Sequence, residues 1–389
     1  MSKETEVAVV PEKEVQVRTT LDRTTYIQPL HQSSVNTCLR CRRAFMFRNR
    51  WCIFLKSPSF KPAPRQGTLL HRLLHLGPDN TEVVRKEVKA MVEELVKSID
   101  KGEDLLGNLA MEANSLNNLF HKALVMATIL WEKYPRPKHH KIIAKEQTVK
   151  GTFRLSEPDE PDITTELEGT VDDLIEDTKT GLVWIRDYKT SSRDVTYTLT
   201  GYQYSLQCRI YRLLAGGYMQ GIEEYKGRSP AGFILEILQV PTISFGAKDR
   251  DYTEYEHTFK KGARKGETET RREYEGEPTF ENYLQRCREW YVENGDEAVQ
   301  SFSIRFNEPT MPQELRSDLF IAAIARVLPP IPSTFPRDST TSYCTNYERV
   351  CPYYDLCCSD EAGWDAIIAE KYEVQPPVSP VDEEVKEND

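Results

Sequence analysis

Glu168-Gly169-Thr170-Val171-Asp172-Asp173-Leu174 and Val183-Trp184-Ile185-Arg186-Asp187-Tyr188-Lys189-Thr190 flank the turn-rich segment Asp177-Thr178-Lys179-Thr180-Gly181. Apolar residues on both sides of a Gly-ended turn predict two antiparallel strands. Pairing Asp177 with Leu182 gives partners whose numbers sum to 359, so Asp172 faces Asp187. Directly opposed residues have Cβ atoms ~4.5–5.5 Å apart, and like charges there repel. A divalent cation with oxygen ligands would relieve that repulsion. The two-residue period puts Lys189 on the face of Asp187. Two acids and an ammonium on one sheet face can hold a cation, position water and stabilise charge on a phosphoryl oxygen. The plainer alternative is a surface hairpin with scattered charges and Asp173 pointing outward.

Outward from this hairpin, helices are expected at 33–56 (capped by Ser33 or Ser34), 68–76, 81–99 and 105–133, with a strand at about 141–154. Beyond it come a helix at 200–215, a strand at 231–243, an exposed hairpin at 250–277, and helices at 279–293, 312–327 and 361–372. This order suits one α/β core with helical additions.

The net charge of −10 over 389 residues seems to argue against a nucleic-acid partner. By segment, residues 1–16 carry −2 and 373–389 carry −5, leaving −3 for the body. Residues 38–66 hold eight Lys/Arg and no acid, interleaved with Phe45, Phe47, Trp51 and Phe54. Such a segment suits phosphate contacts beside stacking aromatics, or else an amphipathic helix with a solvated basic face. Arg42, Arg43 and Arg48 here, with Lys260 and Lys261 in the later hairpin, are the candidate nucleic-acid contacts. No apolar run is long enough to span a membrane, no secretory h-region opens the chain, and no P-loop is present. A cytoplasmic location is expected, where clustered cysteines point to metal more often than to disulfides. Cys38 and Cys41 lie early; Cys344, Cys351, Cys357 and Cys358 lie late. Four thiolates suit tetrahedral Zn²⁺ or an iron–sulfur cluster; reduced structural thiols are the alternative.

Gly169-Thr170-Val171-Asp172 followed by Asp187-Tyr188-Lys189 resembles the G-x-x-D and D-x-K strands of the PD-(D/E)XK nuclease superfamily, especially its RecB-like branch. Three further matches follow the order found there. Gly67-Thr68-Leu69-Leu70-His71 resembles the upstream G-T-x-x-H helix, and Gln207 with Tyr211 resembles its Q-x-x-x-Y helix. Cys41 with Cys344, Cys351 and Cys357 resembles the iron–sulfur staple of phage-type and CRISPR-adaptation-type relatives.

The resemblance implies a restriction-endonuclease-like α/β core: a mixed central sheet flanked by helices, with helical additions and an Fe–S-stapled terminus. It implies a nuclease domain over 26–372 with an insertion at about 218–330 and a Cys cluster at 344–358, between acidic tails at 1–25 and 373–389. His71, Asp172 and Asp187 would ligate Mg²⁺ or Mn²⁺, Lys189 would position the attacking water, and Gln207 and Tyr211 would complete the catalytic face. The four cysteines would hold a [4Fe–4S] cluster, with Zn²⁺ the alternative. The implied activity is metal-dependent hydrolysis of DNA, by an exonuclease acting with replication, recombination or repair partners. The alternative is a non-cleaving nucleic-acid-binding or assembly subunit. The sequence departs from the pattern at Arg42, where many relatives have Pro, and in the wide Cys344–Cys351 gap. Cys38 or Cys358 could replace Cys41 or Cys357. His75 reads as packing or surface, and Glu146 as an ordinary strand charge.

Overall fold

The computed structural model describes residues 25–56, 62–102, 107–156, 159, 162–192, 195–203, 205–262, 264–306, 313–337, 343–346 and 349–377. Of the tails expected at 1–25 and 373–389, residues 1–24 and 378–389 lie outside the described residues, while Glu373 and Val374 lie in a strand.

In chain order the helices are α1 Gln32–Arg40, α2 Arg42–Phe45, α3 Pro62–Leu76, α4 Thr81–Asp100, α5 Asn108–Lys133, α6 Val195–Gln203, α7 Leu206–Gln220, α8 Phe280–Ala298, α9 Gln313–Val327, α10 Tyr354–Cys358 and α11 Trp364–Lys371. The strands are β1 Ile53–Leu55, β2 His140–Arg154, β3 Thr164–Asp177, β4 Leu182–Ser191, β5 Gly232–Gln239, β6 Asp251–Thr258, β7 Thr268–Glu275, β8 Val299–Arg305, β9 Thr345–Asn346, β10 Arg349–Val350 and β11 Tyr372–Val374. The chain forms two compact units, one of residues 58–149 and 170–309, the other of 1–57, 150–169 and 310–389.

The first unit is built on a five-stranded sheet, ordered β2-β3-β4-β5-β8. β4 pairs antiparallel with β3 and parallel with β5, and β5 pairs antiparallel with β8. The sheet is therefore mixed and flanked by helices, as the restriction-endonuclease-like expectation requires. β4 is buried almost throughout, from Val183 to Tyr188, because helices cover both of its faces. Leu69, Leu70, Leu73, Leu116, Phe120 and Tyr283 belong with Tyr188 to one hydrophobic cluster. Ile185, Phe233, Leu235, Tyr202 and Cys208 belong to a second. Residues 218–330 hold β5 and β8 of this sheet as well as the exposed β6–β7 hairpin. Only part of the expected insertion therefore lies outside the core.

Two local expectations are corrected. The helix expected at 200–215 is two helices, because Ser205 adopts extended φ/ψ and caps α7 by accepting from the Cys208 N–H (3.1 Å). The single helix expected at 33–56 breaks at Cys41, also extended (φ −155°, ψ 107°); a π-helical turn at Met46–Arg50 and then β1 follow. Ser34 does serve the start of α1, accepting the His31 N–H at 2.8 Å while His31 is the cap residue.

The second unit joins early and late parts of the chain. β1 pairs with β11 (Ile53 with Val374), and Phe47, Trp51, Tyr353 and Trp364 interlock with ring centroids 5.2–5.8 Å apart. Phe45, Phe47 and Trp51 are thus core residues, not a stacking platform for bases. Arg43 is corrected as well: it is buried, its Nε donating to the Phe335 carbonyl (2.6 Å) and Nη2 to that of Pro332 (2.9 Å). Both groups are spent on carbonyls that would otherwise be orphaned, so Arg43 cannot reach a phosphate. Arg42 and Arg48 remain exposed.

Candidate active site

The β3–β4 register runs as the turn dictates, with Asp173 opposite Arg186 and Asp177 opposite Leu182. The described pairing stops one step before Asp172 and Asp187. There the Asp172 carboxylate accepts the Tyr188 backbone N–H (Oδ2, 3.1 Å). The two acids thus sit where the ladder opens, and side-chain chemistry replaces strand pairing.

His71 comes from α3, its Nδ1 3.2 Å from Asp172 Oδ2 and its ring edge-on to Tyr188. Asp187 is fully buried. Lys189 Nζ lies 2.6 Å from its Oδ2, and Gln207 Nε2 donates to its Oδ1 at 3.3 Å. Gln207 and Tyr211 share a face of α7, four residues apart. Every side chain expected at the site lies in one unit; His71 contacts Asp172, Lys189 and Gln207 contact Asp187, and charge couples the two groups. Tyr211 is close enough for Asp187 and Asp172 to act on its hydroxyl, which burial first and then these carboxylates push up to about 12.

The electrostatics separate the two acids. Burial pushes the Asp187 carboxyl up to about 6; Lys189 opposes this, while the Asp172 charge adds to it. Burial also opposes ionisation of Asp172, but the His71 hydrogen bond and charge outweigh it and hold that carboxyl below its usual range. His71 is raised in turn: burial works against its protonation, and the hydrogen bond and charge of Asp172, with the charge of Asp187, together more than offset that. One carboxylate is secured by its partners, whereas the other is costly to ionise unless further positive charge arrives.

Asp187 Oδ2 is buried, with the Lys189 ammonium against it. A hard cation that accepts carboxylate oxygen and keeps several waters suits this donor set. Among the described residues no three His, Cys, Asp or Glu side chains form a ready cage, so water or substrate oxygens would have to complete the coordination.

Sequence reasoning missed several neighbours. Tyr202 on α6 is buried beneath the site, its ring 5.5 Å from Lys189 Nζ. Asp173 does not point outward: it is buried, accepts the Tyr188 hydroxyl (3.1 Å) and lies 3.6 Å from Arg136. On that same opposite face Arg186 pairs with Glu236 at 3.4 Å, beside a cavity of about 400 Å³ lined by Tyr134, Trp184 and Ser301. Only the strand period hinted at this second polar layer. Glu146 adopts a left-handed φ of +40° within β2, 3.8 Å from His75 Nδ1.

In the other unit Cys41 stands at the break between α1 and α2, and the Cys351 N–H donates to the Cys344 carbonyl (2.8 Å). Burial raises the Cys351 thiol, and charge on Cys41 and Cys344 adds to the effect. Cys357 is pushed up to about 12, by burial and then by Cys351 and Cys41. Each of these four thiols thus feels or supplies charge on another, but among the described residues no three of them stand close enough to form a metal cage. Cys38 is influenced by Arg42, and exposed Cys358 bonds with the Tyr354 side chain.

Residues 29–357 match the model of the PD-(D/E)XK nuclease superfamily, and the chain belongs to that family. No curated protein matches the chain. Members of this superfamily are metal-dependent nucleases, and the Asp172–Asp187–Lys189 set lies inside the matched span.

Proposed function

We propose that the chain is a Mg²⁺- or Mn²⁺-dependent deoxyribonuclease, an exonuclease of the RecB-like branch that serves DNA replication, recombination or repair. The observation that carries this reading is the fully buried Asp187 carboxylate, its Oδ2 2.6 Å from Lys189 Nζ and its Oδ1 held by Gln207, beside the His71–Asp172 pair. Asp172 and Asp187, with His71 ordering Asp172, would hold the cation. When bound, it would polarise a phosphoryl oxygen and acidify water. Lys189 presents its ammonium to the reacting phosphate and fixes the attacking water. Gln207 donates to Asp187 Oδ1, Lys189 lies against Oδ2 where the cation would share the charge with it, and Tyr211 stands on the same face of α7 as Gln207. His71 keeps Asp172 ionised by hydrogen bonding and charge.

Cys41, Cys344, Cys351 and Cys357 form the proposed cluster site, favoured over Cys38 and Cys358 by their mutual influence. A [4Fe–4S] cluster is the first reading and Zn²⁺ the second. Anaerobically purified protein separates them: iron with visible absorbance, or colourless protein with zinc. Exposed Arg42 and Arg48 are proposed phosphate contacts.

The decisive experiment is the product ladder from 5′- and 3′-labelled linear DNA with Mn²⁺, run beside Lys189→Ala. End-dependent cleavage that falls at least about a hundredfold in the variant is expected, the scale of losing a positioned charge. Undiminished cleavage in Lys189→Ala would remove the hairpin from the chemistry.

A further inference from the structure

The β6–β7 hairpin projects from the same unit as the active site without a core of its own. No residue of either strand is buried, and the strands pair along their full length, from Asp251 with Glu275 to Thr258 with Thr268. At ~3.4 Å per residue, eight residues reach roughly 27 Å. An isolated two-stranded ribbon is marginally stable in water, so one kept this exposed needs an anchor.

Its root supplies one. Asp249, fully buried just before β6, lies 3.0 Å from Arg286 Nε and accepts the Gly246 N–H, while its carbonyl accepts the Thr279 N–H at 2.7 Å. Asn282 Nδ2 then donates to Asp251 at 3.0 Å. The start of β6 is thereby tied to the cap and first two turns of α8, into which β7 leads by a short connection.

Charge is sorted along the ribbon. The strands carry six acids against Arg271 and Arg272, a net −4. The turn, 259–267, carries Lys260, Lys261, Arg264 and Lys265 against Glu267, a net +3. Arg264 is engaged by Glu267 and Glu269. Lys260, Lys261 and Lys265 are exposed and have no acidic partner among the described residues.

The one aromatic of the turn, Phe259, is already covered. Arg264 lies over its ring at 4.1 Å and Arg271 at 5.2 Å, with the His257 ring at 5.3 Å. Single-strand binders leave aromatic faces open for bases to stack on; this turn offers ammonium groups in place of such a platform. Its chemistry fits phosphates, and a two-stranded ribbon is narrow enough for a duplex groove.

We propose that the β6–β7 ribbon is an anchored arm whose tip, through Lys260, Lys261 and Lys265, grips the phosphate backbone of duplex DNA regardless of base sequence. This rests on the nuclease reading and adds to it a duplex-holding element. The acidic stalk keeps the duplex at the tip.

The test is binding of a labelled blunt duplex, and of a single strand of equal length, by the full chain in EDTA across a salt series. The triple variant K260E/K261E/K265E is expected to weaken duplex binding at least about tenfold and to flatten its log–log salt slope by about three. Single-strand binding should change less, and K260R/K261R/K265R should retain wild-type affinity and slope. An unchanged duplex slope in the charge-reversed protein overturns the arm, as does a loss at least as large on the single strand. If the wild type binds neither DNA, it is the nuclease reading that fails, and the variants are not needed to see it.

Discussion

At the scale of single residues, the site trades stability for function at Asp187. Its carboxyl is raised to about 6 in the folded chain, above the ordinary value of 3.8. The folded state therefore holds a proton that the unfolded state has released between those values. Stability drawn from this group is complete below about pH 4 and is lost as pH rises through 6. Asp187→Asn removes that loss. Thermal melts should show the variant on the order of 2 kcal/mol more stable than wild type at pH 7 and no more stable at pH 4. Mn²⁺ should raise the melting temperature of the wild type and leave the variant nearly unmoved, because a cation that binds the folded site stabilises it by mass action. Cleavage by the variant should be lost. Equal melts at pH 7 would mean that Asp187 is not strained by its burial.

At the scale of elements, the break between α6 and α7 sets where Gln207 and Tyr211 point. Ser205 caps α7, so Ser205→Ala should cost about 1 kcal/mol by denaturant melts. Cleavage should also fall, though less than in Gln207→Ala, since α7 keeps its packing through Cys208, Ile210 and Leu214. The break at Cys41 has the same consequence in the other unit: extended backbone there ends α1 and presents a thiol that a continuous helix would have placed elsewhere. Cys351→Ser is expected to lose bound metal by elemental analysis, while Cys358→Ser retains it. The reverse result would move the ligand set to the exposed thiol. The hairpin's strands and turn were readable because strand alternation and Asp/Thr/Gly turn chemistry are local. The two helix breaks were not readable, since Ser205 and Cys41 carry no strong breaker signal. β8 escaped as well, because Val299–Arg305 is an ordinary edge-strand sequence that becomes a strand only beside β5.

At the scale of the whole molecule, basic residues divide into those that hold the fold and those that face solvent. Arg43→Ala should destabilise the protein by about 1–3 kcal/mol, leaving the carbonyls of Phe335 and Pro332 without their donor. It should not alter the salt slope of DNA binding. The double variant R42E/R48E should do the opposite, leaving the melt unchanged and flattening the slope. If Arg43→Ala flattens the slope without lowering the melt, the buried assignment is wrong. Net charge, at −10, could not separate these cases, because charge counts ignore which guanidinium reaches water.

The sequence alone determined the turn and the strand register from Asp173 through Asp177, because alternation and turn chemistry are local; the candidate site residues, from His71 through Tyr211, came from short motifs that resemble a family's. Tertiary structure alone decided that Asp187 is sealed from water with Lys189 against it and that Arg43 faces inward. It also decided that Asp173 belongs to a second buried layer and that Phe47, Trp51, Tyr353 and Trp364, from distant parts of the chain, pack together. Burial and long-range pairing depend on what packs from elsewhere in the chain, and no window of neighbouring residues contains that information.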